Sequence, residues 1–253
     1  MSNYNPFSLE GKTIFVTGAS SGIGRAIAIE CSRMGAKVVI TGRNVQRLDE
    51  TFSLLEGEGH SQFIADLTNM NDITDLVAKL PELDGIVNSA GIGISLPFQF
   101  CSFEKSYPVI DTNLVKPMEL IYRILKLKKN NKRGFSLVFI SSIAGIFVSY
   151  PGNSVYSAAK AGIVGLAKGL AIDLASKNIR VNSVCPGMIE TSMADELAAK
   201  VSQEAIEADK MRYPLKRYGK PEEVAHAVIY LLSDASSWVT GSSLLIDGGF
   251  TLQ

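Results

Sequence analysis

A tyrosine and a lysine four residues apart are the first residues in this sequence that could do chemistry. Tyr156 and Lys160 enclose Ser-Ala-Ala, small residues that favour a helix, and residues i and i+4 lie on one face of a helix. An adjacent Lys⁺ favours the phenolate, so we expect Lys160 to lower the pKa of Tyr156 from about 10 toward the working range. Ser142, brought in from a strand end, could orient a carbonyl oxygen toward the phenol. These residues predict a site for proton transfer to or from a carbonyl or alcohol oxygen.

The pair by itself does not establish such a site. Tyr-x-x-x-Lys occurs by chance on many helices, and a half-buried tyrosine beside a solvated lysine is the ordinary alternative. The elements that would have to position these side chains, and the motifs upstream and downstream, decide between the two interpretations.

Short apolar runs alternate with helical patterns along the whole chain. The predicted strands are residues 13–17, 37–41, 62–65, 84–87, 136–140, 179–184 and 244–246. The predicted helices are 23–34, 44–55, one capped by Thr68 or Asn69 that runs to Leu80, 103–129 with possible breaks at Pro108 and Pro117, the Tyr156 helix, and 221–232. This alternation predicts a parallel sheet covered on both faces. Because no linker or composition shift interrupts it, we expect residues 1–253 to form a single domain, with a mobile substrate lobe at about 190–217.

A glycine-punctuated loop lies between the first predicted strand and the first predicted helix. Gly18, Gly22 and Gly24 stand where a dinucleotide-binding loop requires them, because glycines let the backbone approach a pyrophosphate and a helix N-terminus attracts it. Their spacing differs from G-x-G-x-x-G, so a plain strand–helix turn is the alternative.

Seven motifs in order resemble those of the short-chain dehydrogenase/reductase family. They are TGASSGIG (17–24), NSAG (88–91), Asn113 in DTNLVKP, SSIAG (141–145), YSAAK (156–160), PGMIET (186–191) and WVTGSSLLIDGG (238–249). NSAG departs from the family's Asn-Asn-Ala-Gly at Ser89. The resemblance covers nearly the whole chain and implies an α/β Rossmann fold, a doubly wound parallel sheet of about seven strands with helices on both faces.

The resemblance also implies an NAD(P)-dependent oxidoreductase and assigns the catalytic roles. Tyr156 is then the general acid in carbonyl reduction, and Lys160 lowers its pKa and holds the nicotinamide ribose. Ser142 orients the substrate oxygen, and Asn113 supports a water-linked proton path to Lys160. Ser141 is adjacent to Ser142, but I-A-G after Ser142 matches the family's serine context, so we assign local hydrogen bonding to Ser141.

Most of the predicted cofactor contacts follow from the same motifs. They are Gly18, Ser20, Ser21, Gly22, Ile23, Gly24, Arg43, Asp66, Leu67, Asn88, Ala90, Gly91, Tyr156, Lys160, Pro186, Gly187, Ile189 and Thr191. Three of them keep an alternative or a shared role. Asp66 could lie beside the adenine or form a local turn, Asn88 could brace the strand end as much as bind, and Thr191 could reach the nicotinamide carboxamide.

The end of the second predicted strand favours NADP(H) over NAD(H). Folds that prefer NAD place a carboxylate there to accept hydrogen bonds from the ribose 2′-hydroxyl, whereas this chain has Gly42. Arg43 follows with a planar fork of donors suited to a 2′-phosphate. The alternative is that Arg43 stacks on the adenine or lies in solvent, with NAD(H) also accepted.

Composition excludes several other classes. The 253 residues carry 25 Lys+Arg and 25 Asp+Glu, so bulk charge gives no reason to expect nucleic-acid binding. The three cysteines lack metal-ligand spacing, and we expect neither a metal site nor disulfides. We find no signal peptide and no segment long enough to span a membrane, and therefore expect a cytoplasmic protein with no membrane partner.

The leading functional hypothesis is an NADPH-dependent carbonyl reductase, most like the 3-oxoacyl-[acyl-carrier-protein] reductases. Lys126, Lys128, Lys129, Lys132 and Arg133 could meet an acidic acyl carrier protein, or could be a solvated helix end. The alternatives are a reductase of a sugar, polyol or other small ketone, and a non-catalytic NADP-binding regulator. The resemblance implies a homotetramer, in which the helices around 103–129 and 154–177 pair across one interface and the last helix and strand across another. The small and apolar residues on several faces of the Tyr156 helix suit such an interface, with packing inside one subunit as the alternative.

Overall fold

A computed structural model describes residues 4–192, 194 and 202–252, and it shows a seven-stranded parallel sheet. The strands are β1 (Thr13–Thr17), β2 (Lys37–Gly42), β3 (Ser61–Ile64), β4 (Gly85–Asn88), β5 (Phe135–Ile140), β6 (Ile179–Pro186) and β7 (Ser243–Ile246). Their order in the sheet is β3-β2-β1-β4-β5-β6-β7. The predicted doubly wound α/β fold is confirmed.

Helices connect the strands and cover both faces of the sheet. They are α1 (Gly22–Arg33), α2 (Val45–Ser53), α3 (Met70–Lys79), α4 (Phe103–Ile110), α5 (Lys116–Lys126), α6 (Ser154–Leu174), α7 (Gln203–Met211) and α8 (Pro221–Leu232). Asn69 caps α3 by accepting from the amides of Asn71 and Asp72, and Pro221 opens α8. One core packs α1 and α8 on the sheet, and the other packs α3, α5 and α6 on the opposite face.

The strand order reverses between β1 and β4, and this reversal positions the site. From β1 the chain winds outward through β2 and β3, then returns to β4 and winds the other way. Thr17 of β1 and Asn88 of β4 are partners in register, so the loops that follow them diverge from one point. In doubly wound sheets a crevice opens there, at the carboxyl ends of the strands.

The predicted helix 103–129 is present as a continuous helical segment from Phe103 to Lys126, made of α4, a π-helical turn and α5, and neither proline breaks it. Pro108 lies inside α4, and Pro117 is in the first turn of α5, where a proline is tolerated. The irregularity within the segment is a π-helical turn at Asp111–Val115, one residue wider than an α-turn, and Asn113 lies inside it.

The predicted lobe at 190–217 is described only in part. Residues 193 and 195–201 lie outside the described residues. The described part contains α7, with Ser202 as its N-cap, and Tyr213, which is buried against Phe250.

Helix α6 corrects the expectation about membrane spans. Together with the short 3₁₀ turn after it, the helix covers Ser154–Lys177 and is long and apolar enough to cross a membrane by length and composition. That test is also passed by core helices, and α6 buries Ile163, Val164 and Ala167 against the sheet. Its apolar character therefore has an explanation within the fold.

Candidate active site

The loops after β1 and β4 touch each other at the strand-order reversal. The Thr17 hydroxyl accepts hydrogen bonds from the amides of Ser89 and Ala90, each at 3.1 Å. Gly18 has φ +66°, and a Cβ on it would lie 2.7 Å from the Cα of Ala90. Glycine is needed there both for the backbone conformation and for the close approach. Asn88 is buried beside them, and its Nδ2 has no partner among the described residues.

The start of α1 is open to an anion. Ser21 is the N-cap residue, but its side chain makes no capping hydrogen bond, and the first turn carries no acidic residue. The amide groups of this turn and the positive end of the helix dipole are thus available to a phosphate. Ser20, Gly22, Ile23 and Gly24 form the rest of this loop, so the predicted phosphate-loop residues lie together and fit a pyrophosphate.

Tyr156 lies in the first turn of α6, close to Ser142 at the end of β5. Burial raises the pKa of Tyr156 to about 12, while the Ser142 hydroxyl beside it acts in the opposite direction. The Ser142 Oγ accepts from the amide of Ala144 at 3.1 Å, which fixes its orientation. The expected lowering of the tyrosine pKa is therefore not seen in the protein alone, because the cost of burying the phenolate is the largest effect. A neutral Tyr156 is a proton donor at neutral pH.

Lys160 is a buried ammonium directly behind Tyr156. It is 6% exposed, and burial lowers its pKa to about 8. Its Nζ donates to the carbonyl of Ile140 at 2.9 Å and lies 5.6 Å from the centre of the Tyr156 ring. Two of its three N–H donors remain for other groups.

Asn113 faces the same point from the π-helical turn. Its Nδ2 donates to the carbonyls of Ile92 and Val109, both at 2.8 Å, so both amide protons are used. Its Oδ1 is buried without a partner among the described residues. A Cβ placed on Gly91 would lie 2.6 Å from that oxygen and 3.5 Å from Lys160 Nζ. The acceptor of Asn113 and the cation of Lys160 therefore both lie close to the same side of Gly91.

Ser141 and Ser142 have different surroundings. The Ser141 hydroxyl is buried and donates to the carbonyl of Lys160 at 2.8 Å, and the Ser141 amide donates to Val184. Ser141 therefore fastens α6 to the sheet, while the hydroxyl of Ser142 remains near Tyr156.

The ends of β2 and β3 carry the residues predicted to meet the adenosine part of a dinucleotide. A Cβ on Gly42 would lie 3.2 Å from the Cβ of Ser20, so Gly42 contacts the phosphate loop and brings no carboxylate. Arg43 is exposed beside it. The pKa of Asp66 is lowered, first by a hydrogen bond from the Thr68 amide at 2.9 Å, then by the Thr68 hydroxyl, and also by the charge of Arg43. Asp66 thus forms the local turn and also lies near Arg43, with Leu67 half-buried behind it.

The segment after β6 lies across the crevice from the phosphate loop. The amide of Gly187 donates to Ile246, and the carbonyl of Pro186 accepts from Ile143. A Cβ on Gly22 would lie 3.2 Å from Thr191 Cγ2, so Thr191 reaches the phosphate loop. The side chain of Ile189 points into the core, which leaves its backbone for any cofactor contact.

Sequence reasoning missed residues that hold these groups in place. Thr17 closes the NSAG turn, but its partners are 72 and 73 residues away in the chain, and no local pattern connects them. Arg25 donates to the carbonyl of Ser20 at 3.0 Å and to Thr51 Oγ1 at 3.0 Å, which ties the phosphate loop to α2. The sequence places Arg25 on α1 one residue after Gly24, but it does not show that the side chain turns toward the phosphate loop and α2.

Comparison with known proteins agrees with this geometry over nearly the whole chain. The family model described as enoyl-(acyl carrier protein) reductase matches residues 18–251. The 3-oxoacyl-[acyl-carrier-protein] reductase of Rickettsia felis is 37% identical over 247 residues, covering 96% of this chain and 98% of the relative. A structure of Agrobacterium tumefaciens described as a 2-deoxy-D-gluconate 3-dehydrogenase with bound NADP superposes with a TM-score of 0.89 at 33% identity, covering 99% and 100% of the chains. An actinorhodin polyketide ketoreductase variant with NADPH superposes with a TM-score of 0.89 at 32% identity, covering 96% and 98%. The chain belongs to the short-chain dehydrogenase/reductase family of oxidoreductases.

Proposed function

We propose that this enzyme is an NADPH-dependent carbonyl reductase that converts a ketone, foremost a 3-oxoacyl thioester, to the secondary alcohol. The observation that carries the proposal is the cluster of Ser142, a neutral Tyr156 and the buried Lys160 at the carboxyl edge of β5. Two hydroxyl groups that converge on one place suit a carbonyl oxygen. In an enoyl thioester, the substrate named in the matched family description, the same groups would instead bind the thioester oxygen that becomes an enolate when hydride adds to the carbon–carbon double bond, so the substrate screen below includes that class.

The residues divide the proton chemistry among them. When bound, the nicotinamide supplies the hydride. Ser142 donates a hydrogen bond that holds the substrate oxygen, and Tyr156 gives that oxygen its proton as the alkoxide develops. Lys160 is mainly protonated below its pKa of about 8, and its charge stabilises the transient phenolate. The free acceptor of Asn113 beside Lys160 is placed to continue the proton path.

The cofactor assignment rests on the residues at the ends of β2 and β4. Gly42 brings no negative charge against a 2′-phosphate, and Arg43 is exposed next to it. The unpartnered Asn88 Nδ2 and the open first turn of α1 fit the rest of a dinucleotide. Two similar structures carry NADP or NADPH, which supports the same choice, with NADH as the lesser cofactor.

The more specific part of the proposal is that an acyl carrier protein delivers the substrate. Lys126, Lys128, Lys132 and Arg133 are exposed near the end of α5, where an acidic acyl carrier protein could dock. Lys129 does not belong to that surface, because its Nζ donates to the carbonyls of Ala78 and Leu80 at the end of α3. We place the enzyme in the cytosol.

The exposed apolar residues support a homotetramer. One patch lies on α4, α5 and α6 and includes Phe103 (72% exposed), Tyr122 and Ile172 (81% exposed). A second lies around the edge strand β7 and includes Trp238 (99% exposed) and Leu252. Pairing of each patch with its own copy about a two-fold axis would generate a closed tetramer. Light scattering at micromolar concentration is expected to give four times the mass of the chain, and a stable monomer would contradict it.

One screen tests the function. Oxidation of NADPH is followed with 3-oxoacyl thioesters, keto-sugars, diketones and 2-enoyl thioesters, with NADH in parallel. We expect the 3-oxoacyl thioesters to give the highest kcat/KM. A preference for keto-sugars would move the enzyme to the sugar-reductase alternative, and turnover of the 2-enoyl thioesters alone would refute carbonyl reduction. No turnover with any of them would favour a non-catalytic regulator.

A further inference from the structure

An ion pair spans the π-helical turn that carries Asn113. Lys116 Nζ lies 3.6 Å from Asp111 Oδ2, and their side chains are only 14% and 11% exposed. The backbone amide of Lys116 donates to the carbonyl of Asp111, which is the i to i+5 hydrogen bond of a π-turn.

The spacing of this pair depends on the π-turn. In an α-helix each residue advances about 100°, so residues five apart lie about 140° apart around the axis and their side chains diverge. The wider π-turn brings them to the same side of the helix. The Asp111–Lys116 contact therefore favours the π register specifically, unlike an i to i+4 pair, which favours the α register.

Both carboxylate oxygens of Asp111 have a partner in this arrangement. Its Oδ1 accepts a hydrogen bond from the Tyr107 hydroxyl at 3.3 Å, and its Oδ2 faces Lys116. A carboxylate this deeply buried is costly without a cation beside it. Removing the lysine would leave Asp111 with one neutral donor and would remove the contact that selects the wider turn.

Asn113 lies between the two charged residues and depends on the same register. Its amide reaches the carbonyl of Val109 one turn earlier and the carbonyl of Ile92 in the loop after β4. Return to an α register would rotate the chain across this turn by about one residue, or about 100°. Asn113 could then no longer keep both hydrogen bonds and also present Oδ1 above Gly91 next to Lys160.

We propose that Asp111 and Lys116 form a register clasp that holds residues 111–115 as a π-turn and thereby positions Asn113 beside Lys160. Neither residue touches the reacting atoms, so both are positioning residues. The proposal rests on the carbonyl reductase function, in which Asn113 serves the proton path.

The kinetic test compares Lys116→Met with Lys116→Arg, which restores the cation. We expect Lys116→Met to lower kcat about tenfold or more, because small misplacements of active-site groups have large effects, while KM for the ketone and the NADPH Kd change less than about twofold. Lys116→Arg should recover most of the loss, and Asp111→Asn should behave like Lys116→Met. Arg123→Met is the matched control, since it removes the Arg123–Glu119 ion pair of the same helix and should leave kcat unchanged.

A crystal structure of Lys116→Met decides the proposal independently of turnover. We expect residues 111–115 in an α register, with Asn113 Oδ1 moved away from Gly91. A retained π-turn, or a variant with reduced Tm but wild-type kcat, would overturn the proposal. If the wild type reduces no ketone, the proposed function fails, and the structure of the variant still decides the clasp. Asp111→Asn serves in its place if Lys116→Met does not fold.

Discussion

Replacement of Lys160 by Met is expected to make the protein more stable and inactive. Lys160 is 6% exposed, and burial lowers its pKa from 10.5 to about 8. A shift of about 2.5 units at about 1.36 kcal/mol each means that the buried charge costs about 3 kcal/mol of folding free energy near neutrality. Methionine has a similar shape and no charge, but it forfeits the hydrogen bond to Ile140, worth about 1 kcal/mol.

The net gain of about 2 kcal/mol should raise Tm by about 4–8 °C for a chain of this size.

The stability of the wild type should also depend on pH through Lys160. Because the pKa of Lys160 is lower in the folded state, unfolded chains bind more protons between pH 8 and 10.5, and wild-type stability rises with pH across that window. The cost of the charge is fully present below about pH 8, so the advantage of Lys160→Met is largest there and disappears toward pH 10.5.

The assay is thermal and urea unfolding of the cofactor-free protein at pH 7 and pH 10, with kcat measured in parallel. Lys168→Met is the matched control, since Lys168 is exposed on the same helix and its removal should change Tm little. A Lys160→Met protein that is less stable than the wild type at pH 7 would refute the reasoning. It would mean that the hydrogen bond to Ile140 outweighs the burial of the charge.

Two further predictions concern cofactor choice and proton transfer. Arg43→Ala should lower the NADPH-to-NADH ratio of kcat/KM about ten- to a hundredfold, since a charge-assisted hydrogen bond contributes roughly 1.5–3 kcal/mol. Steady-state kinetics with both cofactors measure this ratio, with Arg33→Ala as the control. An unchanged ratio would count against the assignment of Arg43. The kcat/KM for reduction should fall as pH rises through about 8, because Lys160 of the free enzyme then loses its proton while the pKa of Tyr156, at about 12, keeps the phenol neutral. A pH–rate profile measures this, and a kcat/KM that increases above pH 8 would contradict the role of Lys160.

Most strands and helices could be predicted from the sequence, because their residue patterns lie within the elements themselves. The β-branched run of β1 and the proline at the start of α8 were predicted at the residues where they occur. The π-turn at Asp111–Val115 was not, because prolines are visible in a sequence whereas the contacts that select a π register form only after folding. The raised pKa of Tyr156 was missed for a similar reason, since i to i+4 spacing shows the neighbouring lysine but not the burial that outweighs it.

The catalytic residues were easier to predict than the contacts that hold them in place. Tyr156 and Lys160 are close because they share one helix, and the strand before Ser142 ends at the same edge of the sheet. The contacts that fix them are long-range in sequence: Thr17 meets Ser89 and Ala90, and Asn113 meets Ile92. Such contacts depend on the strand order, which a single sequence does not specify by periodicity alone.

The central claim is that Tyr156 donates the proton to the substrate oxygen, and Tyr156→Phe tests it most directly. The substitution removes one hydroxyl and leaves the phosphate loop, Lys160 and Asn113 in place. With a ketone that the wild type reduces, kcat should fall by about 10²-fold or more, while the NADPH Kd from fluorescence titration should stay within about twofold. A Tyr156→Phe enzyme that binds NADPH normally and retains more than a tenth of the wild-type kcat would contradict the account.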